Sequence, residues 1–288
     1  MFTHPDQNST PFITLLAAQR QFYNDSKTWR ALTTGFSMVL ALTGIVVINL
    51  FPTTNNDLLA IGVIWSIISI FLQTFIHTRS TQAAKVQEQF DTQLYNLPWN
   101  SDLVGEKIAP ELIQDASRRL KSKAGLQDWY VNWTAAVQVP NTEHWVCVLK
   151  CQRENLIWDW RIRKKFAIWI FITTLLIPVT EITAAYIQNL HVQFMWDGYI
   201  VPSISLIIAG IQSARQHYKI ADLKENKANE LRKLIDEKAD NTITEEKCRR
   251  VQDFLFIQRI HNYYVPNWFN QLNKERFERD SRDSSLHT

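Results

Sequence analysis

The chain has 288 residues and a net charge of +3, with 20% of its residues charged. That charge is too small for a general nucleic-acid binder, so neither DNA nor RNA is an expected partner. Only 7 glycines and 9 prolines occur, which favours an all-α chain over one rich in turns. All 31 Lys and Arg fall in three blocks, 1–30, 78–165 and 215–288, and none falls in 31–77 or 166–214. The 3 cysteines are Cys147, Cys151 and Cys248. An odd number, with no secretion signal in the first thirty residues, indicates reduced cytosolic thiols. Cys147 and Cys151 share a helix face at i, i+4, but no further ligands at suitable spacing complete a metal site. Buried, inert thiols are expected, with no metal and no cofactor.

Residues 14–30 form a helix that runs into the first apolar run, 31–51, which is free of charge. After the link "PTTNND" a second run covers 58–77. Each is long enough to cross a hydrocarbon core of about 30 Å at about 1.5 Å per residue. In the second run, Gly62, Ser66, Ser69, Gln73 and His77 recur at steps of four, three, four and four, so they share one helical face. Such a stripe either packs against another helix or lines a wet path. Residues 78–96 continue the second run outward.

In the block 78–165, "PELIQDASRRLKSKAG" starts a helix at Pro110 and stops it at Gly125. Ile108, Leu112, Ala116 and Leu120 form its expected apolar stripe. Residues 143–165 lead as one helix into the third run, 166–187. Glu181 sits in that run, three residues after Pro178. It lies about 22 Å along the helix from Phe166, so it belongs to the outer leaflet. A carboxylate there is near the outer interface, lines a pore or bonds another helix. The fourth run, 196–214, carries Pro202 and continues as a charged helix over 215–239. Buried soluble helices are the competing reading of these runs. Thr242 and Glu245 form a capping box for a helix that ends before Pro266, and a short helix follows "PNWF".

Basic residues flank every run on one side: Arg20, Lys27 and Arg30, then Arg79 and Lys85, then Arg161 to Lys165, then Arg215 and Lys219. Neither hairpin loop has a Lys or Arg. The positive-inside rule therefore places both termini and the middle block in the cytoplasm. The expected architecture is an all-α integral membrane protein. Four transmembrane helices form two hairpins, 31–77 (spans 31–51 and 58–77) and 166–214 (spans 166–187 and 196–214). A helical cytoplasmic domain is built from residues 78–165 and 215–288, with 1–30 as a cytoplasmic N-terminal helix.

Of the 11 tryptophans, Trp29, Trp65, Trp169 and Trp196 suit spans or membrane interfaces. The others pack in a core or stack on a base, with Arg118, Arg119, Lys121, Lys123, Arg153 or Arg163 on phosphate. There is no P-loop, GxGxxG, HExxH or GxSxG, and the carboxylates are spaced as on solvated helix faces, so no catalytic residues are assigned and no enzyme is expected.

With this topology, "LLAAQRQFYNDSK", "FDTQLYNLPWN", "LQDWY", "CQRENLIWDWRIR" and "VPNWF" become recognisable in order around the four runs. Over roughly residues 8–280 the chain resembles the SMODS-associating four-transmembrane effector family, found beside cyclic-oligonucleotide synthases in bacterial CBASS antiphage systems. The resemblance implies an activating cyclic di- or oligonucleotide, a homo-oligomer in the bacterial inner membrane, and a breach of that membrane which aborts infection. Within the family-like stretches, Trp99, Asn100, Trp129, Tyr130, Arg153, Trp158 and Arg163 suit stacking or phosphate contact and are the expected ligand-binding residues. A constitutive channel or transporter and a membrane-anchored scaffold for a protein partner are the alternatives.

Overall fold

Apolar stretches poor in Gly and Pro bond their own backbone groups best as helices, the one open-chain form that leaves nothing unsatisfied away from water. The computed structural model describes residues 7–50, 55–124, 143–187, 189, 191, 193, 196, 200–236, 243–260 and 264–273. Among these, regular structure is helical throughout. The helices are α1 (Thr10–Leu50), α2 (Asn55–Tyr95), α3 (Ser101–Val104), α4 (Pro110–Ala124), α5 (His144–Ile187), α6 (Val201–Asp236), α7 (Glu245–Ile260) and α8 (267–273). The chain forms two compact units, Met1–Gln152 with Lys238–Asn262, and Arg153–Glu237 with Tyr263–Thr288, so the division falls inside α5.

In the first unit, α1 and α2 form a long antiparallel hairpin. Phe12 meets Phe90 edge-on at 5.5 Å, Ser26 Oγ donates to the Ile76 carbonyl at 3.2 Å, and Trp65 Nε1 donates to Ser37 Oγ at 2.9 Å. Asn96 ends α2 at φ 52°, the left-handed conformation, and Leu97 N–H closes back on the Thr92 carbonyl at 3.0 Å. Arg119 of α4 pairs with Asp25 of α1 at 3.1 Å. The buried side of α4 carries Ile113, Ala116, Ser117 and Leu120, whereas Leu112 is exposed, so the expected stripe is displaced by one residue near its start. Helix α7 is capped by Thr244, whose Oγ1 accepts the Lys247 N–H at 3.4 Å. The capping box expected at Thr242 is replaced by this cap two residues later, and Thr242 itself lies outside the described residues.

In the second unit, α5 and α6 form another antiparallel hairpin, and α8 packs on α5. Pro178 lies inside α5 and removes the bond its N–H would make to Thr174, yet the helix continues to Ile187. Thr174 also faces Gly210 of α6. A Cβ on Gly210 would overlap Thr174 Oγ1 and come within 2.8 Å of its Cγ2. Only glycine permits that approach.

Among the described residues, two helices are long and apolar enough to cross a membrane: α2 over Ala60–Tyr95, and α5. The sequence led to an expectation of four. Of the other two runs, 31–51 enters α1 as far as Leu50, and 196–214 enters α6 only from Val201.

Gly62 has open space around its Cα, with nothing within 4 Å of an added Cβ. Gly210→Leu is therefore expected to lower the thermal stability of the detergent-solubilised protein by several degrees, and Gly62→Ala to leave it unchanged or slightly raised; melting curves of the two variants check both.

Candidate functional site

Three polar constellations stand out against the apolar helices. The first is a buried ion network in the first unit. Along α2, Ala84, Glu88, Asp91 and Tyr95 recur at helical spacing and are all fully buried. The opposing stripe on α7 is Cys248, Gln252, Leu255 and Arg259, again all buried. Glu88 accepts from Arg249 Nη2 at 2.5 Å and from Gln252 Nε2 at 2.8 Å. Asp91 Oδ2 accepts from Gln252 Nε2 at 2.9 Å and pairs with Arg259 Nη2 at 2.7 Å. Gln252 Oε1 in turn accepts from Gln152 Nε2 of α5 at 3.1 Å, so every polar group of Gln252 is used. Burial pushes the Glu88 carboxyl up, with Asp91 adding to the rise, and Arg259 and Arg249 oppose it. Carboxylates read from sequence as solvated surface are thus core residues here. The available signal was their position on the same stripe as Ala84 and Tyr95.

The second constellation lies in the second unit, next to the start of the third run. Asp159 of α5 holds two buried cations, Arg163 at 2.8 Å and Lys224 of α6. Burial alone would raise its carboxyl, but Arg163 and Lys224 hold it well below the usual range. Arg163 Nη1 also faces His217 Nδ1 at 3.4 Å. Arginine can only donate, so Nδ1 accepts and the imidazole proton sits on Nε2. Burial pushes His217 down from 6.5 to about 4, Arg163 pushes the same way, and Asp159 opposes. Phe166 meets the His217 ring edge-on at 5.0 Å.

The third is Glu181 of α5. Ser203 Oγ of α6 lies 3.0 Å from its Oε2 and 2.9 Å from the Ile200 carbonyl. One hydroxyl proton serves only one of these acceptors at a time. The carboxylate that looked solitary in sequence therefore has an interhelical partner.

The expected ligand-binding residues fall into both units. Trp99 Nε1 donates to the Gly105 carbonyl at 2.9 Å, and Lys107 Nζ lies 5.4 Å over its ring. Asn100 caps α3 through Leu103 N–H at 3.2 Å and donates to Asp253 at 3.2 Å. Arg153 Nε donates to the Ala228 carbonyl at 3.3 Å, Trp158 packs against Ile162, Phe166, Val265 and Phe269, and Arg163 is buried as described. Arg118 pairs with Asp115 at 3.0 Å. Trp129 and Tyr130 lie outside the described residues, as do the side chains of Lys121 and Lys123. Of the stripe on α2, Ser66 Oγ donates to the Gly62 carbonyl at 2.8 Å and Ser69 Oγ to the Ser66 carbonyl at 2.8 Å. Gln73 and His77 are exposed, and the hairpin contact with α1 runs instead through Trp65 and Ile76. All three cysteines are buried and none is in a disulfide, and burial pushes the Cys248 thiol up to about 12.

Long helices with exposed apolar flanks, joined to helices whose ionic groups are buried and paired, define a helical membrane protein. Residues 4–285 match the sequence model of the SMODS-associating 4TM effector domain, and the chain belongs to that family. It is 29% identical over 279 residues to a Bacillus cereus (strain VD146) protein described as a probable CBASS effector molecule, an overlap covering 94% of this chain and 92% of the relative. No solved structure matches the chain.

Two outcomes follow from the ionic groups. Arg249→Ala leaves Glu88 buried without its closest cation and is expected to cost about 3–5 kcal/mol in chemical denaturation. The unfolded His217 imidazole takes up a proton below pH 6.5, whereas the folded one stays neutral down to about 4. Its contribution is therefore complete above pH 6.5 and declines as the pH falls towards 4, by roughly 3 kcal/mol in all. Melting temperatures of wild type and His217→Gln across that range are expected to converge at the acidic end.

Proposed function

We propose that this protein is the membrane-acting effector of a bacterial CBASS antiphage system. Its cytoplasmic helices sense a cyclic nucleotide. Its transmembrane helices, four per subunit as two hairpins, then assemble or rearrange and open the inner membrane, and the infected cell stops growing. The carrying observation is that each long helix joins an exposed apolar stretch to a packed part without a break. In α2, Val63, Ile67 and Phe71 are exposed, while Ala83, Ala84, Phe90 and Leu94 are buried. In α5, Ile172, Leu176 and Val179 are exposed, while Val148, Leu149 and Leu156 are buried. Leu32, Phe36 and Val39 of α1, and Ile204, Ile208 and Ile211 of α6, are exposed in the same manner and support α1 and α6 as the remaining spans. Basic residues flank the apolar runs on one side only, which supports cytoplasmic termini.

The ligand acts by binding one arrangement of the helices better than another, since equal binding shifts nothing. Trp99, Asn100, Trp129, Tyr130, Arg153, Trp158 and Arg163 are the candidates for contact with it. Among these, Trp99, Asn100, Arg153 and Trp158 keep part of their surface open, whereas Arg163 is buried. Gly62, Ser66, Ser69, Gln73, His77 and Glu181 are the candidates for packing between subunits or for the lining of the opening.

Ion and dye leakage from liposomes carrying the purified protein tests this reading against a panel of cyclic di- and trinucleotides. Leak is expected with one nucleotide and not without it, and Arg153→Ala is expected to need more of that nucleotide. Leak without any ligand would instead make the protein a constitutive channel. A folded, correctly oriented protein that leaks under no condition would be a scaffold.

A further inference from the structure

We propose that α8 lies in the cytoplasmic headgroup layer of the bilayer, with Trp268 and Leu272 against lipid, and so pins the entry of the third span; this rests on the reading of α5 as a span. Helix α8 has two unlike faces. Phe269, with Val265 just before the helix, is buried on Ile162 and Phe166 of α5. Trp268 and Leu272, one turn apart, are 47% and 75% exposed. Their depth is fixed by α5. The Trp268 ring stands edge-on to Trp169 at 5.3 Å. Trp169 lies about 4.5 Å past Phe166, the first residue of the apolar run. It is itself 42% exposed and leads directly into exposed Ile168, Phe171 and Ile172. The apolar face of α8 is thus continuous with the apolar surface of α5 at the level where hydrocarbon gives way to water. Tryptophan, apolar with one N–H, favours that level.

The cations at the same level match anionic headgroups. Arg161 lies 5.7 Å from the Trp160 ring, and Lys164 Nζ, which also pairs with Glu225 at 2.9 Å, lies 5.5 Å from Trp160 and 5.6 Å from the Tyr218 ring. Lys165 Nζ donates to Asn273 Oδ1 at 3.3 Å and ties the far end of α8 to α5. A second copy of the chain is the competing occupant, but two side chains offer far less than the area a stable protein interface buries.

The test uses the full chain in liposomes containing an anionic lipid, with an environment-sensitive fluorophore on Leu272→Cys and, separately, on Val63→Cys in α2. The unsubstituted protein, whose three thiols are buried, sets the labelling background. The expected result is a blue-shifted Leu272 label that loses more emission to lipids brominated near the headgroup than to lipids brominated near the chain end, while Val63 shows the reverse order. A Leu272 label quenched by aqueous iodide and not by lipid, with Val63 still quenched by lipid, overturns the inference and leaves the membrane reading intact. A Leu272 label shielded from both quenchers overturns it in favour of a protein cover. A Val63 label that no brominated lipid reaches removes the membrane reading itself, and this inference with it.

Discussion

The first unit is organised around charges taken out of water. Glu88 and Asp91 of α2 are completely buried, and carboxylates in that position persist only if cations and donors surround them. Arg249, Gln252 and Arg259 of α7 supply those partners, and Gln152 extends the network to the start of α5. Apolar contacts alone tolerate a slip of one helix along another. A carboxylate pair facing a guanidinium pair does not, because a shift of one residue leaves charges unpaired. The network therefore fixes the register of α2 and α7, and the packing of Phe256 against Ala84 and Val104 follows from that register.

The second unit applies the same rule with a different balance. Asp159 serves both Arg163 and Lys224, and Lys164 pairs with Glu225 at 2.9 Å, so α5 and α6 are joined by ions just outside their apolar halves. Within those halves the contact changes in kind. Gly210 allows close approach to Thr174, and Ser203 meets Glu181. In the proposed spans lipid would offer no hydrophobic force between helices, and close packing and hydrogen bonds would take over.

Much of this was legible in the sequence, and what was missed has identifiable causes. Apolar runs free of Lys and Arg but flanked by them marked the apolar halves, and the lack of breakers between 78 and 96 marked α2 as continuous. Pro110 marked the start of α4. The buried network was not seen because carboxylates were read by type as surface groups, whereas their place on the Ala84–Tyr95 stripe assigned them to the core. The α4 stripe was misplaced because Leu112 and Ile113 are adjacent apolar residues, and only a neighbour decides which one is covered. The cap was placed at Thr242 because Glu245 completes a capping box there, while the structure uses the bare hydroxyl of Thr244. The resemblance to the effector family covered nearly the whole chain and was confirmed, but ligand contacts cannot be read from stretches whose side chains also build the fold, as Asn100 does when it caps α3.

The 41 residues of α2 form one rod about 60 Å long, and its ionic clamp sits close to one end. Such a rod is a lever with a short arm in the packed domain and a long arm among exposed apolar side chains. A tilt of about 10° about Glu88 would carry the far end of the rod sideways by about 9 Å, close to the distance between packed helix axes. A rearrangement small enough to keep every ion pair of the clamp could thus exchange one helix neighbour for another at the opposite end.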